Sequence, residues 1–233
     1  MTVVEHLTEL RRRIVISLIA VALTAGVAYV FAPDVIKWLL KFYDRATDGD
    51  QTFFVFTGPL DAFVTRLKIA TYGGILLAVP VWLWQLWRFI TPGLHPHEKR
   101  YAVPFVLSSI VLFAFGGFVA LKTLPQALNF LLNAGGQELH PLLTADKYVG
   151  LVSLMVLAFG LAFEFPVILV FLLIARVVNT RQLSRFRRHT AVLITIFAAV
   201  ITPSQDPYSL FFMAVPMYLF FEVSLIIGKV LKR

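Results

Sequence analysis

From Tyr148 to Ile174 the sequence runs for 27 residues with a single charged side chain, Glu164. Coiled as a helix, that stretch is about 40 Å long, more than the ~30 Å hydrocarbon thickness of a bilayer. Five further stretches are similarly apolar: Ile14–Phe31, Ile69–Ile90, Val103–Leu121, Ala191–Ile201 and Leu210–Ile227. With 59% hydrophobic and 15% charged residues and a mean hydropathy of +0.81, the chain holds more apolar surface than one soluble core can hide. Lipid is its solvent. The pattern predicts an all-α integral membrane protein of six transmembrane helices, with residues 1–233 forming a single membrane domain. The fifth stretch crosses only about 20 Å, so it needs a thinned bilayer or a shallow hairpin with the sixth.

The net charge of +8 would suggest nucleic acid in a soluble protein. No stretch alternates basic and aromatic residues on a polar face, and nucleic acid is not an expected partner. Charge follows topology instead. Six spans put the N-tail, the second and fourth loops and the C-tail on one side, with fourteen Lys and Arg against three acids. The opposite side has seven against eight. By the positive-inside rule both termini are cytoplasmic. The first span follows a basic segment, as a secretory signal would. Its apolar run of 18 residues is too long for one and lacks a small-residue cleavage site, so it reads as a retained anchor. With no cysteine there is no disulfide, thiol nucleophile or thiolate metal site. No paired acids, Ser/Lys pair or HExxH pattern lies in the spans, which argues against an enzyme.

Prolines 80, 104, 125, 166 and 216 fall inside or near the ends of spans, where each removes a backbone hydrogen bond and bends the helix. Bent helices side by side can form a concave face. Outside the spans, Pro33–Tyr43 has the apolar–basic pattern of a helix lying at the interface. Thr57-Gly58-Pro59 predicts a helix start with Thr57 as cap and Asp61 in the first turn. Lys122 to Lys147 reads as an outer segment with a turn at residues 133–136.

Few residues can carry chemistry. Glu164 costs several kcal/mol in the apolar region unless it meets a partner, water or a bundle interior, which marks it as an intramembrane functional candidate. Glu222 shares that ambiguity. At the N-terminus, Thr2 and Glu5 form a capping-box pattern, and Val3, Leu7, Leu10 and Ile14 an apolar stripe. Glu9 stands one turn before Arg13, so an intrahelical pair is the plain structural reading. In the second loop, Thr91-Pro92-Gly93 is a tight turn, and Glu98 suits the first turn of a helix. His95, His97 and Glu98 lack zinc-site spacing. Neither a metal nor a cofactor is expected.

The run His6-Leu7-x-Glu9-Leu10-Arg11-x-Arg13, with Phe89-x-x-Pro92-Gly93-Leu94-x-x-x-Glu98-x-Arg100, resembles TatC, the multispan subunit of the twin-arginine protein translocase. The likeness continues through Phe159-Gly160-x-x-Phe163-Glu164-x-Pro166, Thr202-Pro203-x-x-Asp206-x-x-Ser209 and Ala214-x-Pro216-Met217-Tyr218. It implies six spans in a curved, glove-like bundle in the cell membrane, and a receptor and scaffold that exports folded proteins using the proton-motive force. It implies that Glu9 and Glu98 contact twin-arginine signal peptides, with Phe89, Pro92, Leu94 and Arg11 shaping the patch. Guanidinium–carboxylate pairing makes this chemically sensible. The last hairpin, with Thr202, Asp206, Ser209 and Pro216, looks like the docking site for single-span TatA/TatB-type subunits, and association with further copies of the chain is expected. Leu210 stands where the family often has Gln, which weakens polar contacts there. The alternative is a proton-coupled secondary transporter with Glu164 as coupling residue. No inverted repeat supports it.

Overall fold

The computed structural model describes residues 3–46, 54, 57–90, 102–134 and 143–230, and all its helices are α-helices. Helix α1 (Val3–Val30) carries the amphipathic N-terminus into the first apolar run without a break. The Thr2 capping box lies outside the described residues. Helix α2 (Ala32–Ala46) buries Ala32, Leu39 and Tyr43 and leaves Lys37 exposed beside Asp34, as the apolar–basic pattern predicts.

Prolines set the next breaks. Helices α3 (Asp61–Leu77) and α4 (Val79–Ile90) meet at a 50° bend, with Pro80 in the first turn of α4. Pro166 likewise sits in the first turn of α7 (Phe165–Ile174), four residues past the end of α6 (Ala145–Ala162). A proline has no N–H to offer the preceding turn, and the chain breaks where that bond is missing. Helix α7 ends in a Schellman motif: Val177 N–H bonds Leu172 O at 3.0 Å and Arg176 N–H bonds Leu173 O at 3.2 Å. Arg176 takes the left-handed position, φ 56°, usually held by glycine.

The short α8 (Thr180–Arg185) begins with a capping box between Asn179 and Gln182. Helices α9 (Arg187–Ile201) and α10 (Pro207–Val230) close the chain. Helix α1, helix α5 (Ala102–Asn133), the α6–α7 pair and α10 are each long and apolar enough to cross a membrane, and the bent α3–α4 pair makes a fifth. Helix α9, with 15 residues, reaches only about 22 Å.

Two local expectations change. Helix α3 starts at Asp61, eight residues before the apolar run, because the Asp61 carboxylate organises the turn ahead of it. It accepts from Thr57 N (2.7 Å), Thr57 Oγ1 (2.9 Å) and Gly58 N (2.9 Å). The capping therefore runs opposite to expectation, a charged acceptor outcompeting the threonine hydroxyl. Helix α5 continues past Lys122 and through Pro125 to Asn133, where an outer segment was expected. Its inward face, Leu124, Ala127 and Leu128, is buried in the main core, and that packing outweighs one lost backbone bond. Lys68, inside α3, sets its Nζ 3.1 Å from Asp146 Oδ2 at the start of α6.

Close approach holds the bundle together. A Cβ on Gly74 would come within 2.7 Å of Ala25 Cβ, and Thr24 Oγ1 donates to Gly74 O at 2.8 Å, locking α1 against α3. A Cβ on Gly116 would lie 2.5 Å from Phe159 O, so α5 and α6 touch backbone to backbone. Trp87, Phe105, Val167 and Ile174 pack together. The end of α4 and the start of α5 thereby meet α7, and Phe89 near the end of α4 stacks on His6 near the start of α1.

Candidate functional site

At that end α1 and α4 bring a polar cluster together. Glu9 Oε1 accepts from Arg13 Nη2 at 2.9 Å, the intrahelical pair predicted by their spacing. Arg13 Nη1 donates in turn to Gln85 Oε1 at 3.0 Å. This second bond ties the first helix to the fourth. Glu9 Oε2 and Arg13 Nε are buried and have no partner among the described residues. The Glu9 side chain as a whole keeps 16% of its exposure. It lines a groove of about 430 Å³ with Val4, Thr8 and Arg12. A carboxylate with one oxygen committed and one unsatisfied is an unfinished hydrogen-bond site.

Phe89 stacks on His6, ring centroids 4.3 Å apart and 16° from parallel, so the end of α4 also grips the start of α1. Arg11 is exposed. Pro92, Leu94 and Glu98 lie outside the described residues, directly after α4 ends at Ile90. Gln85 was not legible as a site residue. It is one amide in Val79–Ile90, and the one available signal was its presence, 9% exposed, among tryptophans and leucines.

Glu164 occupies a second, separate place. It sits in the break between α6 and α7, 7% exposed, with Oε1 lacking a partner among the described residues. Its carboxyl faces the Ser109 hydroxyl, which itself accepts from Trp87 Nε1 at 2.9 Å. Trp82, Leu86, Leu161 and Phe171 help to enclose it in a cavity of about 370 Å³. The proline-driven break explains the placement: the α6–α7 interruption turns this residue toward α4 and α5. Trp87 and Ser109 escaped sequence reading because aromatic and hydroxyl residues are ordinary in such spans.

Glu222 is paired rather than poised. It accepts from Arg187 Nη2 at 2.8 Å and from Tyr218 Oη at 3.2 Å, joining α10 to the start of α9. The polar residues of the last hairpin turn inward. Asp206 Oδ1 accepts from Ser209 N at 2.7 Å, capping α10, while Ser204 donates to the other oxygen. Thr202 Oγ1 donates to Ala198 O at 2.6 Å. Thr202, Asp206 and Ser209 are each buried, so they build the α9–α10 corner, and Pro216 lies half-buried within α10. Among the described residues no three His, Asp or Glu side chains gather to hold a metal.

A family profile described as Sec-independent protein translocase protein (TatC) matches residues 5–216. The chain belongs to the TatC family. A TatC of Frankia casuarinae is 43% identical over 239 residues, covering 98% of this chain and 65% of the relative's own length. A TatC of Aquifex aeolicus is 38% identical over 240 residues, covering all of this chain and 97% of the relative. Among solved structures, one described as the twin-arginine translocase receptor TatC superposes with a TM-score of 0.79 at 37% identity, covering 98% of this chain and all of the other. A second, of the same receptor in the detergent DDM, gives 0.76 at 36% identity, covering 96% and 99%. TatC proteins are components of a protein translocase, so the small-molecule transporter alternative falls, and the chain is a membrane translocation protein rather than an enzyme.

Proposed function

We propose that this TatC is the signal-peptide receptor and core scaffold of a twin-arginine translocase, exporting folded proteins across the cell membrane with the proton-motive force. The observation that carries this reading is the half-satisfied Glu9 carboxylate. Arg13 holds Oε1 in place while Oε2 has no partner among the described residues, in a groove at the end of the bundle. An incoming guanidinium completes that site with charge-assisted hydrogen bonds. Glu98 supplies the second carboxylate for an adjacent arginine, with Phe89, Pro92 and Leu94 shaping the patch and Arg11 repelling unselected cations. The membrane domain crosses six times with both termini cytoplasmic, α9 crossing where the bilayer is thinned. The charge asymmetry of the loops supports this orientation.

The Glu164 cavity then receives apolar segments that pass through the bundle interior. The α9–α10 hairpin presents its outward face to single-span TatA/TatB-type subunits. Thr202, Asp206 and Ser209 give the corner its shape and Pro216 bends α10, so the contact itself falls to neighbouring exposed residues such as Val200 and Phe211. Further copies of the chain assemble in the receptor complex.

A photocrosslinker at Thr8, which lines the groove without being one of the acids, tests the reading. It captures a precursor with an Arg-Arg signal and loses capture when the pair is replaced by Lys-Lys. Equal capture of both would refute recognition at this site.

A further inference from the structure

A second groove, of about 400 Å³, has neither carboxylate in its lining. Phe165 and Leu169 of α7, Leu193 and Phe197 of α9, and Met217 and Phe221 of α10 form its walls. Leu183 of α8 and Thr190 stand at the end nearest the start of α9, Thr190 being the one polar residue of the lining. Thr190, Leu193, Ile194 and Phe197 follow one helical stripe, so the groove runs roughly 10 Å along α9. Its walls offer hydrocarbon and aromatic surface and almost nothing to hydrogen-bond.

The rim has the opposite character. Arg181, Arg185, Arg187 and Arg188 fall within eight residues spanning α8 and the first turn of α9, and all four are exposed. Glu222 neutralises Arg187. Among the described residues no ion pair engages Arg181, Arg185 or Arg188. Lys229 adds to the same rim: a Cβ on its neighbour Gly228 would collide with Thr180, so the end of α10 lies against α8. An apolar slot that ends on the same α8–α9 segment as these exposed arginines matches a molecule that is hydrocarbon at one end and anionic at the other. A soluble anion leaves the slot empty, and an apolar peptide helix leaves the arginines unmatched.

We infer that this groove is a binding site for an anionic phospholipid, one acyl chain lying between α7, α9 and α10 and the phosphate held by Arg181, Arg185 and Arg188. The short α9 gives the site a purpose. A helix of about 22 Å leaves a mismatch against a ~30 Å core, and a lipid fixed beside it defines how the bilayer thins there. The inference stands apart from the signal-recognition reading, because its residues belong to α7–α10 and Glu9 to α1.

The test uses the full chain in bicelles containing either phosphatidylglycerol or phosphatidylcholine with a photoactivatable acyl chain. Phosphatidylglycerol labels Leu193, Phe197 and Phe221 at least fivefold more than phosphatidylcholine does. Labelling falls to the phosphatidylcholine level in Arg181→Gln/Arg185→Gln/Arg188→Gln and is retained when the same three positions become Lys. Leu193→Trp, which fills the slot, lowers labelling without touching the charges. Circular dichroism and the thermal midpoint confirm that each variant is folded. Equal labelling by both lipids, or undiminished labelling in a folded Gln variant, overturns the site and leaves only annular lipid. Displacement of the label by a single-span partner helix, with no dependence on headgroup charge, overturns it in favour of a protein occupant.

Discussion

Glu9 and Glu164 are both carboxylates with one oxygen unpartnered among the described residues, yet their surroundings differ in kind. Glu9 stands at the end of the bundle, one turn from a guanidinium that is itself anchored by Gln85. Glu164 lies in the interior, faces a hydroxyl, and is enclosed by tryptophan, leucine and phenylalanine. The first arrangement sets a carboxylate against a guanidinium and leaves its second oxygen buried without a partner among the described residues. The second spends burial energy on a polar group that no cation relieves. A receptor for a basic peptide needs the first kind of acid, and a passage for apolar segments tolerates the second.

The widest separation between the two comes from charge reversal. Glu164→Lys places an unpaired ammonium in the enclosed cavity and is expected to cost about 3 kcal/mol, seen as loss of folded, membrane-inserted protein. Recovery of normal amounts with an unchanged thermal midpoint would show that the cavity is wetter than its lining suggests. Glu9→Ala acts on binding instead. Removing a charge-assisted contact worth roughly 1.5–3 kcal/mol lowers signal-peptide affinity about tenfold to a hundredfold, with helix content and insertion unchanged. Loss of the protein itself would return Glu9 to a purely structural duty.

Arg13→Ala probes the link between the two helices. It leaves Glu9 and Gln85 without their shared partner and is expected to destabilise by about 2 kcal/mol. Glu9→Gln in the same chain restores part of that, because an amide tolerates the missing cation. Additive losses would mean that the pair is not coupled. The smallest effect belongs to the more exposed pair. Arg187 and Glu222 retain 44% and 29% of their side-chain exposure, so Arg187→Ala costs under about 1 kcal/mol. A larger loss on chemical denaturation would make that pair a real clasp between α9 and α10.

Much of this contrast was readable from residue order alone. Pro80 and Pro166 announced the breaks that aim α4 and α7, and an amphipathic helix at Ala32–Ala46 followed from its apolar–basic spacing. The Glu9–Arg13 pair followed from a separation of four. What stayed hidden depended on neighbours far away in sequence. The pairing of Lys68 with Asp146, 78 residues apart in sequence, appears only once α3 and α6 set them 3.1 Å apart. Lys122 and Pro125 looked like an ending, yet the buried face beyond them continued the helix to Asn133. Gln85, Ser109 and Trp87 became meaningful only once a carboxylate or its guanidinium was set against them. Thr202, Asp206 and Ser209 were read by family likeness as a surface and fold as a buried corner.

The most direct test is an affinity comparison on the purified chain, with a fluorescent Arg-Arg signal peptide and its Lys-Lys counterpart titrated against the native protein and Glu9→Gln. The account predicts at least a tenfold preference for Arg-Arg in the native protein, shrinking markedly once the Glu9 carboxylate becomes an amide. An unchanged preference in a folded Glu9→Gln protein would contradict it, because guanidinium selection would then reside elsewhere.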